Sequence, residues 1–361
     1  MPPPPEGQHG ASAPLPTPAV PSPAPAPVTA ANSIPSSPAS SSGELTPPAP
    51  RFRVSRWRRL AWIGSGLACG LSILGLVLCW TNPAIGAPLR PGLDFTGGTQ
   101  IQLERRCNGG CSSLTAEAVR ERLSALSLPS DGGESAPSLS SAAIQLLDAN
   151  RSLVLRLPAL SADQGEAVIQ GLETAVGPLD PAGTSVNTIG PTLGSRLLRS
   201  SIISLLVSFA AIAAYITFMY SGVFAFLALV CLAHDVLITC GVFAWLGLFA
   251  GVEVDSLFAV ALITVAGYSV TDTVVIYDRI REQKKRLANL SLSDQVDVAV
   301  DATLTRSLYT SFTTLLPLLA LIFFGGSTLF WFAVALSLGI AVGSWSSIGV
   351  APTLLPLLAR R

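Results

Sequence analysis

A chain with uncharged apolar runs as long as a bilayer is thick has few folds open to it. Residues 60–80 and 200–220 are such runs, 223–249 is another broken only by His234-Asp235 near its middle, and three more begin near residues 255, 307 and 329. Each approaches or exceeds the ~20 residues a helix needs to cross the hydrocarbon. There each backbone N–H and C=O must find its partner within the protein, which a helix achieves inside a single segment. Of the 361 residues, 50% are hydrophobic and only 12% charged, against about 25% charged in a soluble domain. The expected fold is an α-helical integral membrane protein with six transmembrane helices. The first lies within 51–80 and the others at about 200–220, 223–249, 255–278, 307–325 and 329–358, with a basic amphipathic connection over 279–306.

Charge placement sets the expected orientation. Five arginines fall within 51–59, Arg281, Lys284, Lys285 and Arg286 follow the fourth span, and Arg360 and Arg361 follow the sixth. Six crossings put all three clusters on one side, and positive flanks stay in the cytoplasm. Both termini are therefore expected to be cytoplasmic. Residues 84–87, Ala-Ile-Gly-Ala, are similar to a signal-peptide cleavage site, but the preceding run is longer than a signal core, which favours an anchor. Gly66 and Gly70 have the spacing of a close helix–helix contact. Residues 1–50 hold 16 prolines among Ala and Ser. This composition cannot bury a core and reads as a disordered cytoplasmic tail of polyproline II character.

Between the first two spans, residues 81–195 are the one long polar stretch, expected outside the cytoplasm. Residues 99–106, 142–147, 153–157 and 185–189 read as strands. Residues 115–126 and 161–176 read as helices, the second opened by a capping box of Ser161 and Gln164. The order β-α-β-β-α-β is that of a ferredoxin-like α+β domain. It contains no histidine and its carboxylates are scattered, so no enzyme activity is expected.

The chemistry-bearing residues lie in the membrane. Residues 257–266 are uncharged and run directly into Gly267-Tyr-Ser-Val-Thr-Asp272, and the helix regains water only near Asp278 and Arg279. Asp272 then sits roughly 9 Å inside the edge, at ~1.5 Å per residue. A carboxylate at depth costs about 2.5–3.5 kcal/mol and is kept for ion movement or for pairing. Arg306, a few residues into the next, antiparallel helix, falls at a similar depth and is the expected partner. Asp235 is a second buried carboxylate, and its neighbour His234 reads more readily as a packing group than as a proton carrier.

Other chemistries find little support. Net charge is zero, so nothing points to nucleic acid. No phosphate loop is present, and Gly64, Gly66 and Gly70 do not fit the dinucleotide spacing. His9 and His234 are too far apart to suggest a zinc site. No cofactor is expected. Cys69, Cys79, Cys231 and Cys240 lie in apolar runs and behave as small hydrophobes. Cys107 and Cys111 lie in a polar loop, as a hairpin disulfide, free thiols or a metal-bound pair.

Taken together, several motifs resemble one family. They are Leu-Asp94-Phe-Thr-Gly97-Gly98-Thr after the first span and Gly267-Tyr268-Ser-Val-Thr-Asp272 running on to Asp278-Arg279 in the fourth. Thr303-Leu-Thr-Arg306-Ser-Leu-Tyr-Thr-Ser opens the fifth, and Phe324-Gly-Gly and the stretch 343–352 follow. In this order they are similar to the SecF members of the SecD/SecF family, within the RND transporter superfamily, over roughly residues 51–361. Thr271, Ser307 and Trp345 stand where the family often has Asn, Thr and Tyr. The resemblance implies a bacterial plasma-membrane protein that works with SecD and the SecYEG channel. Together they use the proton-motive force to complete export of unfolded polypeptides. It also implies that Asp272 and Arg306 serve proton passage, and Asp235 matches a family position too. Rival readings are a small-molecule RND-type transporter and a non-conducting scaffold of the translocon.

Overall fold

The computed structural model describes residues 50–107, 111–129, 137–147 and 150–358. The Pro-rich stretch 1–49, residues 148–149 and the C-terminal Arg360 and Arg361 lie outside the described residues. Among the described residues, six segments are long and apolar enough to cross a membrane. They are α1 (Val54–Thr81), α5 (Pro191–Met219), α6 (Gly222–Phe249), α7 (Ser256–Arg286), α8 (Leu292–Phe324) and Thr328–Leu358. The last comprises most of α9 (Gly326–Trp345), a π-helical turn at Ser346–Val350 and α10 (Ala351–Leu358). The most enclosed is α7. Over its most apolar stretch 56% is buried, against 6% in α5 and 11% in α8, so α7 is the axis of the bundle.

Two expectations about the helices are corrected. Residues 279–306 do not form a long connection: α7 continues to Arg286 and α8 starts at Leu292, leaving only 287–291 between them. The basic residues here are good helix formers next to an established helix end, so propagation costs little. Nor do Gly66 and Gly70 make a close contact, since a Cβ on either would meet nothing within 4 Å. The tight approach of α1 to α6 lies one to two turns further on. A Cβ on Gly241 would fall 2.1 Å from Ser72 Cβ, and one on Gly75 would fall 2.8 Å from the Trp245 ring.

The start of α1 is held by α8. Asp297 Oδ1 accepts from the Ser55 N–H at 2.9 Å and Asp301 Oδ1 from the Phe52 N–H at 2.9 Å. Two carboxylates one turn apart thus satisfy amide groups that a helix start leaves open and that favour negative charge. The arginine-rich start of α1, the end of α7 and the start of α8 therefore share one end of the bundle.

The sheet domain occupies the other end. Leu93–Thr96 (α2) is a single helical turn, followed by β1 (Gly98–Glu104), α3 (Ala116–Ala125), β2 (Ala143–Leu147), β3 (Ser152–Leu157), α4 (Ala162–Val176) and β4 (Ser185–Ile189). The strand order is β2-β3-β1-β4 with every neighbour antiparallel, the ferredoxin-like arrangement. Ile101 pairs with Leu155 on one side and Val186 on the other. Alternate residues Ile101, Leu103, Leu153 and Leu155 are fully buried with Val119 and Leu123 of α3 and Val168 and Leu172 of α4, as period-2 and period-3.6 patterns require. The Ser161–Gln164 capping box opens α4. Cys107 and Cys111 form a disulfide. Arg105 is buried and ties three loops together, donating to the carbonyls of Val176, Ser112 and Asn150 at 2.8–3.0 Å.

Candidate functional site

Several motif residues lie on α7 and others against its ends. At its sheet-domain end, Asp94 of α2 accepts from the Ser256 N–H at 3.0 Å and from the Ser256 hydroxyl. Asp255 caps the helix by accepting from the Phe258 N–H at 2.9 Å. Gly97 and Gly98 form the corner into β1 with φ of +71° and +124°, a region open chiefly to glycine. A Cβ on Gly97 would lie 2.9 Å from Pro191 Cα, and one on Gly98 would lie 2.6 Å from the Leu157 carbonyl. At the opposite end of α7, Asp278 accepts from the Tyr220 hydroxyl at 3.1 Å and Arg279 pairs with Glu282 at 2.5 Å. Gly267 has open space around its Cα, while Tyr268 donates to Ser311 at 3.1 Å.

The turn between α6 and α7 is also fastened to the sheet. Gly92 donates to the Val254 carbonyl at 2.8 Å and Val254 to the Arg90 carbonyl at 2.9 Å. The Arg156 guanidinium of β3 meets Glu253, whose carboxylate also faces Arg90 at 3.5 Å. Burial, with Arg90 close by, pushes the Arg156 guanidinium down to about 10. A cleft of about 400 Å³ opens beside Arg90, Arg156 and Glu253, away from the buried acids of the bundle.

Midway along α7, Asp272 is 8% exposed. Its Oδ1 accepts from the Ser307 hydroxyl of α8 at 2.7 Å, and its Oδ2 is enclosed without a partner. The ion pair expected with Arg306 is not formed. Arg306 is exposed on the outer face of α8, and no ion pair among the described residues joins it to Asp272. The depth is as expected, because Ser307 is the next residue. One step along a helix turns the side chain by about 100°, so Ser307 meets Asp272 while Arg306 stands to one side, near enough to act on that carboxylate through its charge but not in contact with it.

Asp235 of α6 is fully buried. Its Oδ1 is 2.8 Å from His234 Nδ1, and its Oδ2 accepts from Ser269 of α7 at 2.5 Å and Ser346 of the π turn at 2.8 Å. Gly343 allows this approach, since a Cβ there would stand 3.2 Å from Ser269 Cβ. The next hydroxyl of the π turn, Ser347, meets Thr273 at 2.9 Å, and Ser311 meets Ser344 at 2.5 Å. Of these serines only Ser307 was named from the sequence, as a departure from the family pattern, and none of them was given a contact. The available signal was hydroxyls spaced four apart within apolar runs, as in Ser269/Thr273 and Ser307/Ser311, the pattern of one buried helix face.

A bundle of six apolar helices with carboxylates in its interior, bolted to one ferredoxin-like domain, defines a multi-pass membrane protein. Residues 169–361 match the family described as protein export membrane protein SecD/SecF, C-terminal, and residues 85–107 match the SecD/SecF GG motif. The protein translocase subunit SecF of Prochlorococcus marinus is 54% identical over 85% of this chain and 95% of its own length. That of a Synechocystis species is 42% identical over 83% and 91%. The crystal structure of SecDF from Thermus thermophilus, described as a translocon-associated membrane protein, superposes with a TM-score of 0.71 at 31% identity, over 86% of this chain and 39% of that one. The chain therefore spans about two-fifths of SecDF. It belongs to the SecF family of protein translocase subunits, multi-pass proteins of bacterial membranes that are named as translocase components rather than as enzymes.

Proposed function

We propose that the chain is an auxiliary subunit of the Sec preprotein translocase that works with a SecD partner beside the SecYEG channel. It uses the proton-motive force to drive the late export of unfolded polypeptides. The observation that carries this is Asp272, a carboxylate on the central helix with one oxygen bonded to Ser307 and the other free to take a proton. Arg306, one residue from Ser307, is the cation whose approach would favour the ionised form, while burial favours the neutral one. The two influences oppose each other, so a modest rotation of α8 is enough to switch the proton on or off. One charge moving across 100 mV supplies about 2.3 kcal/mol, sufficient to bias two helix packings. The far end of α7 is held by Asp94 and by the Glu253–Arg156 contact, so a displacement of α7 would reach the sheet domain. The shared arginine-rich end of α1 and α7 is assigned to the cytoplasm, which puts both termini there and the sheet domain outside.

Asp272→Asn tests this reading. The expected variant assembles with its partners but loses the acceleration of export that a membrane potential gives. Normal proton-driven export by this variant would refute the assignment.

A further inference from the structure

Among the described residues, the bundle interior also holds an imidazole and a carboxylate in direct contact, His234 and Asp235 of α6. Asp235 is 0% exposed and His234 9%. With Nδ1 carrying a hydrogen toward Asp235, the carboxylate receives three donors: the imidazole on Oδ1, and Ser269 and Ser346 on Oδ2. That is the bonding pattern of an ionised carboxylate. The remaining ring nitrogen, Nε2, is enclosed and has no partner. A buried, unbonded imidazole nitrogen beside an ionised acid is a vacant proton position. Filling it turns a buried net negative charge into a neutral imidazolium–carboxylate pair, which lowers the cost of burial.

We propose that His234 and Asp235 form a second proton-holding site, with His234 Nε2 as the atom that takes the proton. The inference rests on the reading of Asp272 as a proton carrier and adds a residue to it. The two sites are linked through α7. Ser269, which bonds Asp235, is three residues before Asp272, or roughly 4.5 Å along the axis. The adjoining serines of the π turn bond Asp235 and, through Ser347, Thr273, the neighbour of Asp272. Few other groups compete. Cys69 of α1 and Cys231 of α6 are the thiols within electrostatic range of Asp235. The contacts from α7 and the π turn are hydroxyls, and no lysine or arginine among the described residues pairs with Asp235. The consecutive serines of the π turn, Ser346 and Ser347, are both fully buried, and such turns are frequent at functional sites.

The chain has two histidines, His9 and His234, which makes the test direct. In the full-length His9→Asn chain, labelled with ¹⁵N-histidine and held in lipid vesicles, the single imidazole is followed from pH 8.5 to 5. The expected result is a ring protonated only on Nδ1 at high pH that gains a proton on Nε2 as the pH falls. Asp235→Asn should release the hydrogen from Nδ1, so that the neutral ring no longer holds the Nδ1-protonated form that the Asp235 contact selects. In vesicles carrying the complete translocase, His234→Asn keeps a donor near the Nδ1 position but has no nitrogen to protonate. Its proton-driven export should lose one step of its pH profile. An imidazole that never titrates in this range, or an unchanged pH profile for His234→Asn, overturns the proposal and leaves Asp272 untouched. Full export by Asp272→Asn overturns the carrier reading instead, while the imidazole titration reports on His234 separately.

Discussion

The Arg156 guanidinium of β3 reaches out of the sheet domain to the Glu253 carboxylate in the turn that leads into α7. Arg90, just after α1, faces the same carboxylate, so one acid joins a strand, a linker and the central helix of the bundle. Glu253 is only 10% exposed and Arg156 26%. Glu253→Gln leaves two arginines short of a partner and should cost about 1–3 kcal/mol, less than a fully enclosed pair because Arg156 keeps some water. Spin labels on β3 and near Ser256 should report a broader distance distribution in this variant. The exchange Arg156→Glu with Glu253→Arg should narrow it again.

The corner at Gly97 and Gly98 makes a prediction with a control inside the same domain. Gly98→Ala places a Cβ against the Leu157 carbonyl at a φ of +124° and should destabilise the chain by about 1–3 kcal/mol. Gly177 also has a positive φ, +94°, but open space around it. Gly177→Ala should therefore cost less, about 1 kcal/mol. Thermal unfolding of the two variants in detergent checks the order. Equal losses would mean that the backbone conformation, and not the contact with β3, sets the demand for glycine.

At the α1–α6 crossing, Gly241→Ala drives a methyl into Ser72. Overpacking of this kind costs about 1–3 kcal/mol. Gly66→Ala adds its methyl where nothing stands within 4 Å and should be close to neutral. Disulfide cross-linking between cysteines introduced on α1 and α6 should slow for the first variant and stay unchanged for the second.

Asp255 gives a pH dependence. Burial raises its carboxyl above the ordinary carboxylate range and Asp94 adds to this, while the Phe258 N–H opposes it. The folded chain therefore keeps this proton to a higher pH than the unfolded chain does. Its contribution to stability falls as the pH rises from the unfolded-state value through the raised one, and is level beyond. Asp255→Asn retains a capping oxygen and does not titrate. The stability of the parent minus that of the variant, measured from pH 4 upward, should decline with pH before it flattens. A difference that climbs with pH would contradict this.

Much of this fold was legible because its periodicities are strong. Uninterrupted apolar runs gave the six spans, and the alternation around Ile101 and Leu155 gave strands in a recognisable order. The Ser161–Gln164 box marked a helix start to the residue. The site was legible in depth but not in direction. Counting along α7 and α8 put Asp272 and Arg306 at one level, and the inward residue is Ser307, because level fixes the rise along a helix and not the face. The π turn left no trace in a sequence as ordinary as Ser-Ser-Ile-Gly-Val. A single inserted residue changes which side chains face inward without changing composition. Gly66 and Gly70 had the right spacing, but spacing does not reveal which face of α1 meets α6.

Gly97 and Pro191 are close enough that a Cβ on the first would touch the second. The chain thus leaves the membrane helices and re-enters them at one corner, with Arg156 and Glu253 as a second fastening. A substitution that enlarges this corner should therefore be felt at both ends of the sheet, where β1 begins and where β4 hands over to α5.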